Sequence, residues 1–161
     1  MKSSPESTTK RTVPVLSISP VEDDHCALQD ILRHLQSAAD PNRTFMVKAC
    51  TTLRATLTAL PTHPFELVVC ESDLIPGSWK DVLEETVILP DPPPLIVTSR
   101  LADERLWAEA LNLGAFDVLA KPFERTETTR VLEAALRTWS RTRKRPAQRE
   151  RFTLKVAAAH A

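Results

Sequence analysis

Residues 65–78, F-E-L-V-V-C-E-S-D-L-I-P-G-S, organise the rest of the chain. Leu67, Val68, Val69 and Cys70 form an unbroken apolar run, too short for a helix and closed by Pro76 and Gly77. Such a run describes a strand buried on both faces, the kind found in parallel sheets. At its carboxyl end it gives way to Glu71 and Asp73. Open α/β sheets gather their sites at the carboxyl ends of their strands, so function is sought there.

Working outward, the apolar pattern alternates short strands with helices. Residues 13–18 (V-P-V-L-S-I) predict a first strand, with Pro14 tolerable only near its start. Glu22, Asp23 and Asp24 fill a first helical turn, where they suit the helix dipole, and Ala27, Leu28, Ile31, Leu32 and Leu35 follow at helical spacing. Residues 44–49 predict a second strand, and Thr51 caps a helix carrying Leu53, Leu57 and Leu60. After the central strand, Ser78 caps a short helix with Trp79, Val82 and Leu83 inward, and prolines at 90 and 92–94 end it. Residues 95–97 predict a fourth strand, 102–113 a helix stopped by Gly114, 116–120 a fifth strand and about 124–140 a last helix. The fold class is α/β: five strand and helix pairs, which under the right-handed crossover rule give a doubly wound five-stranded parallel sheet with helices on both faces.

Composition sets the limits. With 161 residues, 42% hydrophobic, the chain suits one domain of about 120 to 130 residues plus tails. Residues 1–12 predict a disordered lead, 13–141 the domain, and 142–161 a basic flexible tail dispensable for folding, because apolar periodicity ends near Trp139. Lys plus Arg equals Asp plus Glu at 21 each, so no global field steers the chain to nucleic acid or membrane. A tail without interleaved aromatics makes nucleic acid an unfavoured partner. No apolar run reaches the roughly 20 residues of a membrane span, and no secretory leader is evident, which implies a cytoplasmic protein. Cys26, Cys50 and Cys70 lack metal spacing and read as buried thiols. His25 and His34 read as solvated helix residues, and Trp107 and Trp139 as core. Ser19, Glu71, Thr98 and Lys121 all fall at or just past strand ends, where a hydroxyl, a carboxylate and an ammonium bind a phosphate or form a paired network.

The motifs L-I-V-T-S ending at Thr98, L-N-L-G-A, and F-D-V-L-A-K-P-F with Lys121 and Pro122 resemble the receiver domain of two-component response regulators, the CheY-like family. The resemblance covers residues 13 to about 141 and implies the strand order 2-1-3-4-5. It places Glu71 at the phosphoacceptor aspartate, Thr98 on a phosphoryl oxygen, Lys121 against the acid, and a cis peptide before Pro122. Asp73 is the alternative acceptor, because one extra residue stands before Pro76.

The departures from the family pattern fall at the site of chemistry. Ser19 and Pro20 occupy the place of the acidic pair that binds magnesium, so Mg²⁺ is expected to be lost, with no other cofactor. Val118 stands where a switching aromatic usually sits. The implied function is a stand-alone pseudo-receiver, not an enzyme, which meets a protein partner or a second copy through its fourth helix, fifth strand and fifth helix. The alternative is an active single-domain regulator phosphorylated by a histidine kinase, for which Mg²⁺ is required. Glu71 with Lys121 reads either as a structural ion pair or as a permanent mimic of the phosphorylated state.

Overall fold

The computed structural model describes residues 9–143, the side chains of 37–39 excepted; of the expected lead over 1–12 and tail over 142–161, residues 1–8 and 144–161 lie outside the described residues. Five strands alternate with five helices: β1 (Arg11–Ile18), α1 (Glu22–Ala39), β2 (Arg43–Cys50), α2 (Leu53–Ala59), β3 (Leu67–Glu71), α3 (Trp79–Val87), β4 (Leu95–Ser99), α4 (Glu104–Leu113), β5 (Asp117–Ala120) and α5 (Arg125–Arg143). All pairings are parallel, in the order β2-β1-β3-β4-β5. Fold class and strand order are those expected.

Alternation along the strands splits the core in two. Leu16, Val68, Cys70 and Val97 face one side, where they meet Trp79, Val82 and Leu83 of α3 and Ala110 of α4. Val15, Leu67, Val69, Ile96 and Leu119 face the other, packed on Leu28, Ile31, Leu32 and Leu35 of α1 and Val131, Leu132, Ala135 and Leu136 of α5. All five residues of β3 are buried, and each such Leu or Val contributes about 1.5–3 kcal/mol.

Several local details differ from the sequence-based reading, each for a physical reason. β1 begins at Arg11, inside the segment assigned to the lead, because its ladder with β2 starts there, at the pair Arg11 and Arg43, and Arg11 also grips the buried Glu66 through hydrogen bonds of 2.8 and 2.7 Å. Pro14 therefore lies inside a strand of the sheet's interior, yet pairing with β3 starts only at Val15, so the absent N–H has no ladder partner to lose on that side. Thr52, one residue after the expected Thr51, caps α2 by accepting from the Ala55 N–H at 3.1 Å. Ser78 caps α3 as expected and forms a full capping box with Asp81. Cys50 and Cys70 are buried, whereas Cys26 is exposed, being on the outer face of α1. Trp139 is core, but Trp107 is 44% exposed, because the inner stripe of α4 runs through Leu106 and Ala110. Among the described residues no helix is long and apolar enough to cross a membrane.

Two glycines adopt positive φ, Gly77 at +100° and Gly114 at +105°. A Cβ on Gly77 would stand 2.6 Å from Leu53 Cδ2, whereas one on Gly114 would meet nothing within 4 Å. Gly114→Ala is therefore expected to cost about 1 kcal/mol from backbone strain alone, and Gly77→Ala about 2 kcal/mol or more, as urea denaturation would read. Equal costs would show that Leu53 yields freely.

Candidate functional site

The carboxyl ends of β1, β3, β4 and β5 converge with the first turn of α1, where the Lys121 ammonium joins α1 to β3. Lys121 follows β5 directly; its N–H donates to Ser99 O at 3.0 Å, and its side chain is only 6% exposed. Its Nζ donates to Asp24 Oδ2 at 2.6 Å and contacts Glu71 Oε2 directly. The peptide between Lys121 and Pro122 is cis, and so is that between Ile75 and Pro76.

The expected Glu71–Lys121 pair is present, but it is half of a larger arrangement. Glu71 ends β3, in register with the buried Thr98, and its Oε1 accepts from Ser72 Oγ at 3.2 Å. Sequence alone makes Asp24 a first-turn dipole partner. It lies instead against Lys121 and also accepts from Ser19 Oγ at 2.6 Å. Ser19 is buried and turns the chain after β1; its Oγ also accepts from the Val21 N–H at 3.1 Å. Pro20 follows it and is exposed, as is Pro122. Asp73 is exposed and pairs with Ser78 through the backbone, away from the ammonium.

Beneath Asp24 sits a second correction. His25, expected in solvent, is 1% exposed. Its Nε2 faces Ser19 O at 3.0 Å, so that nitrogen donates and Nδ1 accepts from Ser17 Oγ at 2.7 Å. The imidazole thus clamps the β1 to α1 turn from which the Ser19 hydroxyl donates to Asp24. Burial pushes the Asp24 carboxyl up, but hydrogen bonds from Lys121 and Ser19, with the charges of Lys121 and Arg100, outweigh it and hold the pKa below the ordinary 3.8. Burial likewise pushes Lys121 down, and its two carboxylate partners more than reverse this, holding it above 10.5. Chemically, the site is an ion triad in which one ammonium is shared by two carboxylates.

No protein-family model matches the chain. A 117-residue stretch is 32% identical to the transcriptional regulatory protein FixJ of Bradyrhizobium diazoefficiens, covering 73% of this chain and 55% of FixJ, so the chain spans about half the length of that curated relative. The fold superposes on the signal receiver domain of an HD domain-containing protein from Pseudomonas fluorescens Pf-5 with a TM-score of 0.70 at 22% identity, covering 85% of this chain and 95% of that one. It superposes on the beryllofluoride-activated NtrC4 receiver domain dimer with a TM-score of 0.66 at 19% identity, over 78% of this chain and 98% of that one.

Removing the ammonium leaves two carboxylates facing each other, so Lys121→Met is expected to cost about 3 kcal/mol, with coupling to Asp24 in a double-mutant cycle. Asp24, whose pKa is lowered in the fold, contributes stability that is present above its unfolded pKa and lost as pH falls through the folded value, below about pH 4. Lys121, whose pKa is raised, contributes stability present below its unfolded pKa and lost as pH rises past about 10.5. Urea denaturation of wild type and Lys121→Met across pH checks this. A variant with the same acid limb as wild type contradicts it. The described residues have the fold of a CheY-like response-regulator receiver domain, and in sequence they are similar to part of the regulatory protein FixJ.

Proposed function

We propose that this chain is a pseudo-receiver of two-component signalling: a protein-interaction module without phosphotransfer, whose charge network is permanent. The observation that carries this reading is Lys121, bridged between Asp24 and Glu71 with its side chain 6% exposed. Glu71 takes the place of the phosphoacceptor in this reading, and its pairing with Lys121 stands in for the bond an acyl phosphate would receive. A phosphoryl group would add negative charge to a site that already holds two carboxylates against one ammonium.

The residues present do not fit magnesium. Mg²⁺ requires hard oxygens in near-octahedral order, usually with one or two carboxylates. Here both carboxylates are engaged by Lys121, the Ser19 hydroxyl donates its proton to Asp24, and Pro20 has no ligand atom. A divalent cation would have to displace the ammonium first. Accordingly the module has no catalytic role in this reading.

The contact surface is assigned to α4, β5 and α5. On α4, Trp107 and Leu111 are 44% and 42% exposed one turn apart, an apolar ridge suited to a protein partner or a second copy. The activated NtrC4 receiver domain, which shares this fold, is a dimer, and that supports self-association as one form of the contact.

Incubation of the wild type with acetyl phosphate and Mg²⁺ is expected to add no phosphate by intact mass. Glu71→Asp alone is expected to add none either, since the acceptor would change while Lys121 stayed bound to Asp24. Phosphate on the wild type at Glu71 or Asp73 would overturn the reading in favour of an active regulator served by a histidine kinase.

A further inference from the structure

On the α1 and α5 face of the sheet, reaching from the start of α5 to the start of β2, a cleft of roughly 650 Å³ opens between α1, β2 and α5. One stripe of α5 lines it: Arg125, Thr129, Glu133 and Arg137, each four residues from the next. Arg43 reaches the same cleft from β2, its guanidinium 5.0 Å over the Phe45 ring and its Nη2 donating to Glu133 Oε1 at 2.6 Å. That side chain is 12% exposed, so it is held by the ring and the carboxylate together.

Two buried polar atoms here have no hydrogen-bond partner among the described residues, Arg43 Nε and Thr129 Oγ1, and both belong to residues lining this cleft. Buried polar groups are as a rule satisfied, and an orphaned guanidinium nitrogen is an unusual one to leave bare. A guanidinium presents a fork of parallel donors that matches the two oxygens of a carboxylate or phosphate. Arg43 has a carboxylate on one nitrogen of its fork and nothing on Nε. The lining is cationic in balance: Arg43, Arg125 and Arg137 face Glu133 and Asp40, and Asp40 Oδ1 already accepts from the Asn42 N–H at 2.9 Å.

We propose that this cleft binds a small oxyanionic ligand, carrying a phosphate or a carboxylate, between Arg125 and Arg137. In the bound state Glu133 swings aside, and the ligand oxygens take the Arg43 fork and the Thr129 hydroxyl. The site is separate from the Lys121 network and does not depend on whether the latter transfers phosphate.

The test is an amide NMR titration of the full chain with inorganic phosphate, and separately with succinate, at ionic strength fixed by chloride. Saturable shifts over residues 125–137 and at Arg43 are expected with at least one of the two. Response to phosphate alone assigns a phosphate site, and response to succinate alone assigns a carboxylate site. Arg125→Ala with Arg137→Ala should weaken binding by roughly tenfold or more without moving the melting temperature. Glu133→Gln should tighten it, because the competing carboxylate is gone, an effect that a purely structural Arg43–Glu133 pair would not produce. Linear shifts that chloride reproduces, or affinities that neither variant changes, would overturn the proposal.

Discussion

A lysine ammonium withdrawn from water needs negative partners close by, because the penalty for burying a lone charge exceeds what packing around it returns. Lys121 meets that need with two carboxylates from elements far apart in sequence, Asp24 at the start of α1 and Glu71 at the end of β3. The pairing ties β5 to the other side of the sheet and fixes the turns between. Ser19 aims its hydroxyl at Asp24, and His25 holds Ser19 in place. The site is therefore one connected unit, joined by the Lys121 ion contacts and the Ser19 and His25 hydrogen bonds. In the proposed pseudo-receiver, preorganisation of this kind favours one conformation over exchange between two.

Much of this is legible in the sequence. β3 announces itself because a fully buried strand needs no alternation, and the family motifs around Thr98 and Lys121 carry the strand order. The features that local pattern misses are governed by helical phase. Leu28, Ile31, Leu32 and Leu35 define the inner stripe of α1, and extending it back one turn reaches Asp24 and His25, whereas Cys26 falls outside it. The acidic run Glu22, Asp23 and Asp24 reads as uniform in composition, but only Asp24 stands at the inward phase. Histidine on such a stripe is ambiguous, because whether it is buried depends on finding two partners, and Ser17 and the Ser19 carbonyl come from the preceding strand and turn. Arg11 is hidden for a different reason: its bidentate bond to Glu66 joins residues 55 apart, and local pattern carries no trace of it.

The two ends of the sheet match their charges in different ways. At the carboxyl end Lys121, Asp24, Glu71, Ser19 and His25 are each engaged by a neighbour. At the amino end Arg43 and Glu133 meet through a single hydrogen bond, with a donor and a hydroxyl left over nearby. Satisfaction of polar groups is a physical criterion that separates closed structural networks from sites open to a ligand. At the carboxyl end the leftover acceptor, Glu71 Oε2, already faces the Lys121 ammonium, whereas at the amino end the leftover Arg43 Nε is a donor without an acceptor, which suits the proposed anion.

In the proposed pseudo-receiver, Lys121 holds the place a divalent cation would need. A magnesium titration at neutral pH, followed by the amide signals of Asp24 and Glu71 and by the fluorescence of the buried Trp79, reads this directly. No saturable change at millimolar Mg²⁺ is the expected result for the wild type. Saturable, magnesium-specific quenching of Trp79, with shifts centred on Asp24 and Glu71, would contradict it, because the carboxylates would then release the ammonium to take a metal.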